Sequence, residues 1–93
     1  MGGVRTAVNI HAEDVANLLF VQVGDAQDAI TVELPDGVCV RIDPESERVL
    51  GLEILEFSRQ FGRSPSTADE KCVEDLLERF GPQAQAVYRE DTR

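Results

Sequence analysis

Residues 33–55, ELPDGVCVRIDPESERVLGLEIL, contain two turn signals and three apolar runs, with Arg41 and Arg48 set among acids. Ile30, Val32 and Leu34 alternate with Thr31 and Glu33, and Val38, Val40 and Ile42 alternate with Cys39 and Arg41. Leu50, Leu52 and Ile54 alternate with Gly51 and Glu53. A period of two marks strands that bury one face. Register decides how they join. If Asp36-Gly37 formed a two-residue loop, Leu34 would face Cys39 and Val32 would face Arg41, mixing the two sides of the sheet. With a three-residue Pro35-Asp36-Gly37 loop, Leu34 meets Val38, Val32 meets Val40 and Ile30 meets Ile42. Pro35 presets φ for the first turn position, and Gly37 can take the left-handed conformation at the bulge. The PDG is a hinge.

The same test on the second turn pairs Ile42 with Leu50, Val40 with Leu52 and Val38 with Ile54, leaving Asp43 to Val49 as the loop. Three strands then share a three-by-three apolar grid. On the opposite side lie Thr31, Glu33, Cys39, Arg41, Gly51 and Glu53, with Gly51 across from Arg41 and leaving room for its long side chain.

Upstream, VRTAVNI (residues 4–10) alternates like a strand, and LLFVQV (18–23) reads as a second. Leu19, Val21 and Val23 fall on one side of the latter, while Leu18 and Phe20 are apolar on the other. A strand apolar on both faces needs cover on both, from the carboxy-terminal segment or from another copy.

Downstream, EFSRQFGRSP reads as a connector with at most one helical turn. In STADEKCVEDLLERFGP, Thr67 and Glu70 form a capping box, with Asp69 at the positive end of the dipole. Val73, Leu76, Leu77 and Phe80 make an i, i+3, i+4, i+7 stripe. Gly81 and Pro82 read as the stop, with a short second helix over QAQAVYRE and a frayed DTR end. The stripe needs a surface and the grid needs a lid, so each is expected to cover the other. The expected fold is α+β: one domain over residues 1–93. Residues 1–57 form a small antiparallel meander of four to five strands, 58–65 a connector and 66–93 a helical segment packed on the sheet, within one chain or across a dimer.

Composition narrows the function. A chain of 93 residues with 42% hydrophobic residues is globular and buries roughly 60–65% of its extended surface. The net charge is −9, unevenly spread. Residues 30–57 hold seven acids against Arg41 and Arg48, a net −5, whereas residues 58–93 balance seven acids with six bases. Phosphate backbones and anionic membranes are recognised with Lys and Arg, so neither nucleic acid nor membrane is an expected partner. Cys39 and Cys72 lack C-x-x-C spacing and read as small apolar residues in a reducing compartment. The start MGGVRTAVNI has no apolar signal region, which points to the cytoplasm. Its Gly2 and Thr6 fit a short myristoylation pattern that chance accounts for.

Residues 9–57 resemble a small bacterial family catalogued as domain of unknown function 2283 (DUF2283). Its members read like YDPEADALYIRL followed by DGVIVDLDEDGRVVGIEIL. Here the lead-in is NIHAEDVANLLFVQV, with Asn17, Leu19, Phe20, Val21, Gln22 and Val23 at the matching places, and the tail is DGVCVRIDPESERVLGLEIL, with Asp36, Gly37, Asp43, Val49, Gly51, Glu53 and Leu55. The second turn is one residue longer than the usual form, Phe20 replaces a tyrosine, and Arg41 stands where an acid is common. The resemblance implies a sheet-rich cytoplasmic bacterial domain, no established activity, and a hint of partnership with small basic toxin-like proteins.

Candidate sites are few. Glu33, Arg41 and Glu53 are diagonal neighbours on the polar face and, with Asp43, would line a binding site. On an open sheet they read more simply as a solvated ion lattice, each pair worth about 0–1 kcal/mol. Asp43, Glu45 and Glu47 have the odd spacing of a calcium loop, but Arg48 takes the place of its glycine. His11 with Glu13 and Asp14 lacks the second histidine of a zinc site and reads as a turn residue. Ser46, Ser58, Ser64 and Ser66 have no histidine at a hydrolase motif position, and the glycines form no phosphate cradle. No metal, cofactor or catalytic residue is therefore expected. The reading that follows is a non-catalytic, self-associating interaction protein, a homodimer that binds a basic, toxin-like partner. The competing readings are a small-ligand or enzymatic domain whose pocket forms at a dimer interface, and a plain structural oligomer.

Overall fold

A computed structural model of the chain describes residues 8–24 and 28–91. Five antiparallel strands form one sheet: β1 (Val8–Glu13), β2 (Leu18–Val23), β3 (Ile30–Leu34), β4 (Val38–Ile42) and β5 (Val49–Ile54). Their spatial order is β1-β2-β5-β4-β3. The β3-β4-β5 meander is the segment that the opening stretch encodes. The β1-β2 hairpin docks on its last strand, pairing Leu19 with Ile54 and Val21 with Leu52.

The register of the first turn is as expected: Leu34 pairs with Val38, Val32 with Val40 and Ile30 with Ile42. Pro35–Gly37 is a single 3-10 turn, and both Asp36 (φ 67) and Gly37 (φ 76) are left-handed. Aspartate tolerates this conformation better than most residues. At the second turn Val38 pairs with Ile54, Val40 with Leu52 and Arg41 with Gly51, but a bulge then brings Ile42 opposite Val49 rather than Leu50. The cause lies in the loop. The Asp43 carboxylate accepts the Glu45 amide at 2.9 Å, and the Asp43 carbonyl accepts the Glu47 amide at 2.8 Å with Glu47 left-handed. This tight turn shortens the loop, and the spare residue is absorbed in the strand.

The amino-terminal strand pattern is only partly described: Val8, Asn9 and Ile10 are in β1, and residues 4–7, like the Gly2/Thr6 pattern, lie outside the described residues. His11 is a strand residue rather than a turn residue. β1 runs on to Glu13, and the turn is Asp14–Asn17, where Asn17 is left-handed and its amide donates to the Asp14 carbonyl at 3.1 Å.

After the sheet come α1 (Phe57–Phe61), a 3-10 turn over Pro65–Thr67 and α2 (Glu70–Asp91). Two helix boundaries differ from the sequence pattern. Thr67 does not cap α2: its hydroxyl donates to the Ser64 carbonyl at 2.6 Å within the turn that Pro65 nucleates. Asp69 is the cap, its carboxylate accepting the Cys72 amide at 2.8 Å. At the other end Gly81-Pro82 does not stop the helix, which continues for nine further residues to Asp91. Gly81 is buried, and a Cβ there would lie 3.1 Å from Val49 Cγ2. The glycine is used for close approach of helix to sheet, and burial of Ala84 beyond it holds the next turn down. Tertiary packing outweighs the roughly 3 kcal/mol a helix-interior proline costs.

The core joins the sheet face Leu19, Val21, Val32, Val38, Val40, Ile42, Leu52 and Ile54 to Phe57, Val73, Leu76, Phe80 and Ala84. The helical stripe and the apolar grid cover each other within one chain. Leu77 is a partly buried neighbour of this cluster rather than a core member. Phe57 and Phe61 stack with centroids 4.7 Å apart, and the Pro65 turn packs on β1 and β2. All of these elements gather on one side of the sheet.

Candidate functional site

The opposite side of the sheet carries the polar alternates of every strand, and register arranges them in rows. One row reads His11, Phe20, Glu53, Cys39, Glu33 across β1, β2, β5, β4 and β3. The next reads Asn9, Gln22, Gly51, Arg41, Thr31. Glu13 and Leu18 begin a third row. No helix of the described residues packs on this face. Leu18 and Phe20 are half-buried, and Leu55, just past β5, is 45% exposed. Thus the two-sided apolar character of Leu18–Val23 is satisfied on one side within the chain, and no helix of the described residues covers the other.

Of the four residues singled out from sequence, three come together here. Glu33 is exposed, Arg41 and Glu53 are half-buried, and Arg41 lies diagonal to both acids. Among the described residues none of the three has an ion-pair partner within 4.0 Å. Arg41 instead runs its stem over Gly51. Asp43 belongs to a different structure. Its carboxyl holds the β4-β5 turn, and the Glu45 amide is the main cause that keeps it below the ordinary carboxylate value.

Cys39 shares this face, where strand parity placed it. It sits between Glu53 and Glu33 in one row, and burial first, then those two carboxylates, push its thiol up. A thiol so placed is a poor nucleophile, because the thiolate is the reactive form. His11 Nε2 lies 2.7 Å from Glu13 Oε1 at the exposed margin of the face. Among the described residues no group of three His, Cys, Asp or Glu side chains is placed to hold a metal ion.

Two of the grooves among the described residues lie at the sheet margins. One, of about 610 Å³, is bounded by the PDG turn, Leu55, α1 and Arg79. Its polar lining is internally committed: Arg59 pairs with Glu56 at 3.0 Å, and the Gln60 amide donates to the carbonyls of Asp36 and Leu55. The other, of about 510 Å³, runs along β3 beside Val87, Tyr88 and Asp91. Only folding shows either groove, because each joins residues far apart in the chain.

Compared with known protein families, curated proteins and solved structures, the chain matches none of them. No helix of the described residues is long and apolar enough to cross a membrane.

Proposed function

We propose that this is a non-catalytic, self-associating interaction protein that receives a basic segment of a partner protein on the uncovered face of its sheet. The observation that carries this reading is the sheet face that no helix of the described residues covers. Half-buried Leu18 and Phe20 sit among Glu13, Glu33 and Glu53, with Arg41 the only arginine or lysine in the three rows. Aromatic and aliphatic groups inside an acidic surround suit a partner that supplies Lys or Arg around an apolar anchor. The net charge of −9 would speed such an encounter and make it salt-dependent. The similarity of residues 9–57 to the DUF2283 family, and the hint of basic toxin-like partners that goes with it, supports an antitoxin-like role.

The test is co-purification from the source cell at low and high salt, comparing wild type with an E33K/E53K variant. A basic protein retained by the wild type, released as salt rises and lost from the variant is the expected result. Retention of the same proteins by both forms would overturn the reading.

The groove at the PDG turn favours a second reading, a small-ligand domain. There Arg79, which has no carboxylate within 4.0 Å among the described residues, would meet an anionic ligand of modest size. A thermal-shift screen of small carboxylates and phosphates at millimolar concentration tests it, stabilisation being the expected signature.

A further inference from the structure

β3 is an edge strand of the sheet. Among the described residues no strand lies beyond it, and its five residues Ile30–Leu34 contain no proline or lysine. Its pairing with β4 is unbroken by any bulge. Proline, lysine and bulges are among the devices that protect edges; β3 lacks these three, carries one exposed charge in Glu33, and has Val87, Tyr88 and Asp91 of α2 lining a groove along it. The other edge also has a neighbour. β1 has the Pro65–Thr67 turn packed beside it, tied down by Ser66, whose amide and hydroxyl both donate to the Asp14 carboxylate at 3.0 and 2.7 Å.

We infer that the free edge of β3 pairs antiparallel with β3 of a second copy, with Val32 opposite Val32, making a continuous ten-stranded sheet. This rests on the self-association in the proposed function and locates it; it does not depend on the basic partner.

Register selects this arrangement from three. In a two-fold antiparallel pair, facing residues lie on the same side of the sheet, so the axis must pass through a residue. An axis at Glu33 sets the two Glu33 carboxylates directly opposite each other, which is destabilising. An axis at Thr31 leaves Leu34 unpaired. An axis at Val32 uses all five residues, placing Ile30 against Leu34 twice and Val32 against itself. The apolar row on the helix side then runs unbroken from one copy into the other.

The charges agree. With the axis at Val32, Glu33 faces Thr31 of the second copy, and the strand after that carries Arg41 of the second copy, because Thr31 pairs with Arg41. Neighbouring strands are about 4.8 Å apart, so the two Cα atoms are separated by roughly 10 Å, a gap that a Glu and an Arg side chain leaning over threonine can close. Arg41 has no carboxylate within 4.0 Å among the described residues of its own chain. The β3 groove of about 510 Å³ lies along the same edge, so the second copy would close it.

Sedimentation equilibrium over a wide concentration range tests the inference on wild type, T31E, T31E/E33K and, as a control on the other edge, N9E. Thr31, Glu33 and Asn9 are all exposed, so each variant can be checked for an unchanged fold by circular dichroism. The expected result is a wild-type dimer whose dissociation constant rises roughly ten-fold in T31E, where two new Glu–Glu oppositions form. In T31E/E33K each introduced carboxylate faces an introduced ammonium of the second copy, and the dimer should return; N9E should match wild type. A wild type that stays monomeric overturns both this inference and the self-association of the proposed function. A dimer that T31E leaves unchanged, or that N9E weakens instead, overturns the β3 interface alone, and loss in T31E without rescue overturns the Val32 register.

Discussion

The stem of Arg41 lies across Gly51, its directly paired residue on the neighbouring strand. A Cβ added to Gly51 would come within 3.5 Å of Arg41 Cδ and within 2.9 Å of the Val21 carbonyl oxygen. The second distance matters more, because backbone in the middle of a sheet cannot step aside as a flexible side chain can. Gly51 is thus where β2, β4 and β5 come close together.

Gly51→Ala is therefore expected to destabilise the fold by about 1–3 kcal/mol, the range for overpacking a well-filled site. Urea unfolding followed by circular dichroism reads it directly. R41A removes a contact and leaves the Val21 clash in place, so the double variant should recover little of the loss.

Asn17 joins the first hairpin to the segment that follows the sheet. Its side-chain oxygen accepts the Ser58 amide at 2.8 Å, its carbonyl accepts the Phe57 amide at 2.9 Å, and its own φ is +56. N17A loses the side-chain acceptor and places an unsuited residue in the left-handed region, for an expected cost of about 1–3 kcal/mol. N17G keeps the backbone at ease and loses only the acceptor, so it should be the milder of the two. Hydrogen exchange at Ser58 should quicken in both variants.

Pro82 is exposed on a helix that continues past it. Replacing it with alanine restores a backbone donor and removes the ring's clash with the preceding turn. P82A is expected to raise stability by about 1–3 kcal/mol. A fall in the denaturation midpoint would mean that the bend at Pro82 is needed to lay α2 along the sheet.

Acid should loosen the attachment of the β1-β2 turn. The Ser66 hydroxyl, and then its amide, hold the Asp14 carboxyl below its ordinary value of 3.8. A carboxyl lowered in the folded state stabilises fully above its unfolded value, and that contribution fades as pH falls through the folded value. The stability gap between wild type and D14A is thus expected to be constant near neutral pH, to shrink below about pH 4 and to vanish in stronger acid. Paired urea titrations across that window check it, and S66A should make the acid-linked decline smaller, because the folded-state value then returns toward the ordinary one.

Much of the sheet was legible before folding because pairing β3 with β4 is a local problem. Once Ile30, Val32 and Leu34 must meet Ile42, Val40 and Val38 on one face, the PDG turn has one workable length. The β4-β5 register followed from the same logic until the bulge at Ile42. That bulge depends on hydrogen bonds inside the Asp43–Glu47 turn, which alternation of side chains does not report. The grouping of Glu33, Arg41 and Glu53 was also legible, being set by strand parity alone. Asp43 left that group because a carboxylate beside a turn finds the backbone amides first.

The helix ends were misread for the opposite reason. Thr67-x-x-Glu70 and Gly81-Pro82 are strong local signals, yet each was overruled by a neighbour that sequence spacing does not reveal. Pro65 drew Thr67 into its own turn, and Val49 on the sheet required a residue without a side chain at position 81. His11 was placed in a turn because its strand partners on β2 lie across a hairpin whose length the alternation did not fix.

By itself, then, the sequence determined which residues of β3 and β4 share a face with Leu52 and Ile54, that the PDG is a three-residue turn, and that an amphipathic helix is made to face the apolar grid. Those features arise from periodicity and from backbone conformations allowed to Pro, Asp and Gly, which act over a few residues. Only the tertiary structure decided that the first hairpin docks against β5, that α2 runs unbroken through Gly81-Pro82, and that no helix of the described residues covers the second sheet face. These depend on how distant segments compete for the same surface, and the helical segments claimed only one side of the sheet.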